Sequence, residues 1–312
     1  GASVDLMFAN VIYGGAGNDT LITTSATDQL IGGAGHDTYQ VTAITHDDEI
    51  VEASDAGSDT LDLSGIGADL TVQLGVSTTS GGSTLTHTGN NLETIISGAG
   101  ASTLRIFSPG DTVDLRSEGI VWNDATAVVD VGFDQYEFAL DSTGVLRVNV
   151  VLDLNTDLVI ETGLLEVNAS IHAANMLIEV NENLLINQEL SAETGLGDFV
   201  LFEAASLKFI AHDGIGQASA PIYVNVDTLE VVVPGSAANA AGIYITELNG
   251  LVIGDVTIAG YVDTDSGIST LGGDVVVMNL QGVLQIANTG SDGISAMGGD
   301  IVLTTESIDI QA

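Results

Sequence analysis

The chain has no cysteine, which excludes a disulfide framework, thiolate metal sites and a cysteine nucleophile. Cationic side chains are nearly as scarce: Lys and Arg total 4 against 43 Asp and Glu, a net charge of -39. So few cations cannot neutralise phosphates, and nucleic acid is excluded as a partner. The same imbalance makes the chain repel itself and anionic membrane surfaces unless cations bind to it or salt is high. Proline is rare at 3 residues and aromatics make up 4%. No run of 18 apolar residues occurs, so no spanning helix or membrane insertion is expected, and no basic segment leads into an apolar stretch as in a signal peptide.

What is present is apolar and rich in glycine. With 312 residues and 45% apolar side chains at a mean hydropathy of +0.38, the length prior gives about two domains with sizeable cores rather than disorder. Glycine, at 38 residues, is roughly twice the usual usage of about 7%, which favours many tight turns. The acids are mostly Asp, 28 against 15 Glu, and the chain starts at Gly1 rather than Met. The expectation is a processed or excised part of something longer, with cations as its first partners.

Two stretches repeat. Gly14-Gly15-Ala16-Gly17-Asn18-Asp19-Thr20-Leu21-Ile22 and Gly32-Gly33-Ala34-Gly35-His36-Asp37-Thr38-Tyr39-Gln40 both fit G-G-x-G-x-D-x-U-x, with U a large apolar residue, and lie 18 residues apart. Between them Thr23–Ile31 keeps Asp28 and Leu30 at the Asp and U positions. One coil of two nonapeptides would stack the glycine turns on one side. Glycine tolerates the positive φ such a turn needs and exposes its carbonyls, while Asp adds carboxylate oxygens; Ca²⁺ takes 6 to 8 oxygens at about 2.3–2.6 Å. The expected ligands are Asp19 and Asp37 with the carbonyls of Gly14, Gly15, Gly17, Gly32, Gly33 and Gly35. Leu21 and Tyr39 should point inward. A degenerate turn, Ser54 to Leu61, keeps Gly57 and Asp59 in register and suggests a second site against the turn 32–37. Another, Ser97 to Leu104, has Ser102 in place of the acid and should bind calcium poorly or not at all. The bland alternatives are glycine-rich hairpins for the turns, a solvated turn for Asp59 and a surface role for His36.

These nonapeptides resemble the RTX (repeats-in-toxin) family over about residues 10–105, a calcium-binding parallel β-helix repeat. The resemblance implies a β-roll, calcium as the bound ion, and export from a bacterium by type I secretion with folding on extracellular calcium.

Residues 105 to 147 hold three of the four basic residues, Arg105, Arg116 and Arg147, and the only Trp, Trp122. This marks a junction in which Arg should pair with acids such as Asp111, Asp114 or Glu118; a carbohydrate platform on Trp122 and Tyr136 is the alternative use of its aromatics. From 149 onward short apolar strands recur at 21 to 32 residues, ending in two close copies, Gly267 to Val277 and Gly293 to Leu303, offset by 26. Alternation and β-branched residues argue strand, and the offset suits a three-strand coil. The pattern resembles the β-helical shafts of filamentous-haemagglutinin-type adhesins. Gly-Asp corners at Asp198, Asp274 and Asp300, and a loop edge with Asp263, Asp265 and Asp292, should be solvated turns or weak cation sites.

The fold expected is therefore all-β, a parallel β-solenoid: an RTX-type β-roll over 1–105, a junction over 106–148 and a right-handed parallel β-helix over 149–312. No zincin, phosphate-loop, dinucleotide or nucleophile-elbow motif occurs. The function expected is non-enzymatic: an extracellular or cell-surface calcium-binding segment of an adhesin, surface layer or matrix filament. Its candidate partners are calcium, further copies of itself stacked end to end at the uncapped strand Ile308-Asp309-Ile310, and cell-surface or matrix carbohydrate. The alternative is a β-helical polysaccharide lyase or epimerase carrying an RTX module, for which only Lys208, His172, His212 and the tyrosines could serve the uronate chemistry.

Overall fold

The computed structural model describes residues 10–52, 57–87, 91–107, 112–116, 119–122, 129–131, 133, 135–140, 143–181, 201–234, 242–258, 267–287 and 293–311. Among them every regular element is a β-strand. The described ladders are parallel except in one meander, Leu70–Gln73, Ser77–Ser80 and Ser83–His87. This is an all-β parallel solenoid. The chain divides into two compact units, 1–107 with 118–136, and 108–117 with 137–312, so the residues 106–148 are shared between them. Asp111, Glu118, Asp198, Asp263, Asp265 and Asp292 lie outside the described residues, as do the side chains of Asp114 and Trp122.

The first unit is built by stacking. Asn10–Ala16 pairs with Asp28–Ala34, and Thr20–Ile22 with Thr38–Gln40, each at the 18-residue offset of the repeat. Thr38–Gln40 then pairs with Thr60–Asp62, which pairs with Thr94–Ile96. Side chains alternate across a strand, so the U positions fall inside: Leu21, Tyr39, Leu61 and Ile95 form one buried column, and Leu30 and Ile50 another, continued by the buried His87. Each such aliphatic side chain contributes roughly 1.5–3 kcal/mol by leaving water. The degenerate turn 97–102 stacks over Ile66 to Leu70, with Ser102 opposite Leu70 and the Asp69 carboxylate accepting from the Ala101 N–H.

The second unit has longer coils. Asn175–Val180 lies beside Leu201–Ala211, which lies beside Ile222–Val233. Phe202 and Phe209 meet edge to face inside, with ring centroids 5.3 Å apart. Beyond these, three stacks form: Ile243–Glu247, Val275–Asn279 and Ile301–Thr304; Leu251–Ile253, Val283–Ile286 and Ser307–Ile310; Ile268–Thr270 and Ile294–Ala296. The two Gly-Gly-Asp corners stack in register, and the Asp300 N–H donates to Asp274 Oδ1 at 2.9 Å. Arg147 pairs with Glu166 at 2.6 Å.

Candidate metal centre

The two glycine turns lie one on the other. Gly15, Gly17, Gly33 and Gly35 have φ between +110° and +134°, a region L side chains avoid. Stacking adds a second demand at Gly33 and Gly35, where a Cβ would overlap the carbonyl oxygens of Gly15 and Gly17. The carbonyl oxygen of Gly32 in turn faces Gly14, 2.6 Å from where a Cβ would sit, with Asp19 Oδ2 at 2.9 Å from the same point. A carbonyl and a carboxylate thus converge on a space that only glycine leaves open.

Backbone donors hold the acids in place. The Asp19 N–H donates to Asp37 Oδ1 at 2.8 Å, the Asp37 N–H to Asp59 Oδ1 at 2.7 Å, and the Asp59 N–H to Glu93 Oε2 at 2.7 Å. One column of acids therefore climbs the edge of the roll. Asp37 is 1% exposed and Asp59 2%. Asp19 Oδ2 and Asp37 Oδ2 are shut off from water with no hydrogen-bond partner. A buried carboxylate oxygen with no donor is costly, and a hard cation satisfies it; the donor set of carboxylate and carbonyl oxygens fits calcium.

The opposite side of the roll differs. There Asp28 Oδ1 accepts from Asn10 Nδ2 at 2.7 Å, its Oδ2 from the Thr24 N–H at 2.6 Å, and the Asp28 N–H donates to Asp48 Oδ1 at 2.8 Å. Burial pushes the Asp28 carboxyl up, but the donors from Asn10 and Thr24 outweigh it and hold it below the ordinary range. Burial raises Asp48, and the Asp28 charge adds to this. Both oxygens of Asp28 are engaged by the chain itself, so this side is a hydrogen-bonded ladder.

All ten residues read from the sequence lie in the first unit. Gly14, Gly15, Gly17 and Asp19 meet Gly32, Gly33, Gly35 and Asp37; Gly57 and Asp59 follow on the next rung, Asp59 against Asp37. His36 is exposed and its Nδ1 accepts from the Ser58 N–H at 2.8 Å. The roles of Glu52 and of the Tyr39 hydroxyl emerge only here. Glu52 brings a carboxylate oxygen within 4.8 Å of those of Asp37 and Asp59. The Tyr39 hydroxyl donates to Glu52 Oε2 and accepts from the Gly32 N–H at 2.8 Å; burial and then the Glu52 carboxylate push this phenol far up, so it stays a donor. The sequence carried no signal for this pair, because only the strand pairing sets Glu52 at the head of the third turn.

Residues 7–39 match the family model of the RTX calcium-binding nonapeptide repeat (4 copies). These repeats bind calcium, and the match covers both glycine turns and the unpartnered oxygens of Asp19 and Asp37. No curated protein and no solved structure matches the chain. No helix among the described residues is long and apolar enough to cross a membrane.

Proposed function

We propose that this chain is a calcium-dependent structural or adhesive segment of a bacterial surface or matrix protein, exported in an extended state and folded outside the cell. The observation that carries it is the pair of buried, unpartnered oxygens, Asp19 Oδ2 and Asp37 Oδ2, in stacked glycine turns of the RTX repeat. Without calcium, a net charge of -39 and these desolvated acids oppose folding; with it, the free energy of binding becomes free energy of folding. RTX repeats occur in secreted bacterial proteins, which supports the extracellular assignment. The second unit then serves as a stalk, and further copies of the chain or surface carbohydrate are its proposed contacts.

A non-catalytic role is part of this proposal. Lys208 is 1% exposed and held by Glu230 at 2.6 Å, out of reach of a substrate. His172 lies in a shallow depression 4.0 Å from both Asp153 and Glu203, acids that would repel a uronate. The test is circular dichroism and light scattering during a calcium titration, with magnesium as control and the Asp19→Ala, Asp37→Ala double variant alongside. A cooperative gain of β structure with calcium alone, blunted in the variant, is expected. A signal unchanged by calcium would overturn the reading and favour the uronate-enzyme alternative. Growth in scattering tests end-to-end association separately.

A further inference from the structure

The heads of three successive turns form one column. Tyr13 pairs with Ile31 and Gly15 with Gly33, setting Gly14 beside Gly32. Gln29, Leu30 and Ile31 pair with Glu49, Ile50 and Val51, so the next residue on that rung, Glu52, stands beside Gly32. The third turn is two residues longer than the other two between this column and its Asp. Its head is a glutamate where both earlier heads are glycine.

The chemistry over the glycine changes accordingly. At Gly14 the space a Cβ would fill is approached by the Gly32 carbonyl oxygen at 2.6 Å and by Asp19 Oδ2 at 2.9 Å. At Gly32 the three nearest heavy atoms are all side-chain oxygens: the Tyr39 hydroxyl, Asp37 Oδ2 at 2.5 Å and Glu52 Oε2 at 2.7 Å. One rung on, a carboxylate has taken the position of a carbonyl. The partner residue changes with it, because the inward column reads Leu21, Tyr39, Leu61, and the hydroxyl that holds Glu52 sits on the one rung of these three where it can reach.

We infer that Asp37, Glu52 and Asp59 form a second calcium site, in which the Glu52 carboxylate takes the place that the Gly32 carbonyl holds over Gly14, while the Glu52 carbonyl itself accepts from Asn91 Nδ2 at 3.1 Å. The inference deepens the calcium reading of the turns and rests on it. Asp37 uses Oδ1 to fix the Asp19 N–H and leaves Oδ2 buried and unpartnered, aimed at Glu52. Three carboxylates with ligand oxygens within 4.8 Å of one another repel strongly away from bulk water, and a divalent cation among them reverses the sign of that interaction. Carboxylate oxygens that coordinate one- or two-fold are the ligands calcium favours. Tyr39 is the positioning residue: it is clamped by the Gly32 N–H and orients Glu52 by donation.

The test counts calcium ions on the full chain by isothermal titration calorimetry and follows thermal unfolding in calcium and in EDTA. Glu52→Gln is expected to lose one bound ion or weaken one class of site at least tenfold. Its midpoint in EDTA should rise, since one of three crowded carboxylates becomes neutral, while the gain on adding calcium shrinks. A purely structural role for Glu52 would not produce this opposite pair of shifts. Tyr39→Phe should weaken the same class of site with every carboxylate intact. If the Gln variant lacks its β signal at saturating calcium, Glu52→Asp decides: weaker binding at one class of site supports the inference, and wild-type binding overturns it. A wild-type chain that binds no calcium would sink the calcium reading itself. A wild-type chain that binds calcium, with a folded Gln variant matching it in number and affinity, would sink only the site at Glu52.

Discussion

The backbone N–H of Asp19 donates to Oδ1 of Asp37 at 2.8 Å, a contact between residues one full coil apart. Asp37 thus has two tasks, fixing the turn before it and presenting Oδ2 to an ion, whereas Asp19 Oδ2 faces the space over Gly14. Asp37→Ala should therefore shift the calcium midpoint of folding further than Asp19→Ala. Beyond the lost ligand it strands a donor, which costs about 1–3 kcal/mol, or about five- to 150-fold in the equilibrium constant. Calcium titration of the two single variants by circular dichroism measures the difference, and equal midpoints would mean that the hydrogen bond contributes nothing.

Gly15 and Gly33 share the same backbone conformation, φ +111° and +110°, but not the same surroundings. A Cβ on Gly15 meets nothing within 4 Å, while one on Gly33 overlaps the Gly15 carbonyl. Gly15→Ala should cost only the strain of a side chain at positive φ, on the order of 1–3 kcal/mol. Gly33→Ala should in addition push the two turns apart and abolish calcium-induced folding of the repeat. Far-UV dichroism at saturating calcium compares them directly; equal losses would show that the stacking of these turns is looser than the contact between Gly15 and Gly33 requires.

The 18-residue spacing made the stacking of Gly14 on Gly32 and Asp19 on Asp37 readable, because both ends of the first two turns are spaced alike. The third turn broke that rule. Aligned backwards from Asp59, it sets Ser54 and Asp55 at the glycine positions, and only the pairing of Gln29–Ile31 with Glu49–Val51 reveals Glu52 as its head. Tyr39 was legible as an inward residue, since U positions alternate inward; the use of its hydroxyl depends on Glu52 and was not. In the second unit the repeated Gly-Gly-Asp units foretold the register of Val275 with Ile301. Lys208 read as a candidate base because nothing local announces that the next coil sets Glu230 beside it.

That buried pair supports its own prediction. Lys208 Nζ and Glu230 Oε1 are 2.6 Å apart at 1% and 0% exposure, and Glu230 Oε2 also accepts from the Val256 N–H at 2.8 Å. Removing one partner leaves a charge with no counterion in the dry interior, so Lys208→Met should destabilise the second unit by about 3–5 kcal/mol. Replacing both residues, as Lys208→Met with Glu230→Leu, should recover part of that loss, although the Val256 N–H then goes unpaired. Urea unfolding with calcium in excess checks the order of the two variants. A double variant less stable than the single one would show that the backbone contact of Glu230 outweighs the ion pair.

Glu247 gives the second unit a dependence on pH whose sign can be worked out. Its side chain is wholly buried and accepts from the Asn249 N–H at 2.9 Å and the Val226 N–H at 3.3 Å. Burial pushes its carboxyl up to about 7, against the lowering pull of the Asn249, Val226 and Leu248 donors and with help from Asp227. Between the ordinary carboxylate range and pH 7, the folded chain holds a proton that the unfolded chain has released. The group's contribution is therefore fully present in acid and is lost as the pH rises through about 7, by a few kcal/mol at about 1.36 kcal/mol per unit. Glu247→Gln keeps the shape and removes the titration, so its stability should fall less than that of the wild type between pH 5 and pH 8. Urea midpoints at the two pH values, with calcium in excess, isolate Glu247 as the difference between the proteins, because every other titrating group is common to both. Parallel midpoints would show that Glu247 stays ionised in the fold, held there by its backbone donors.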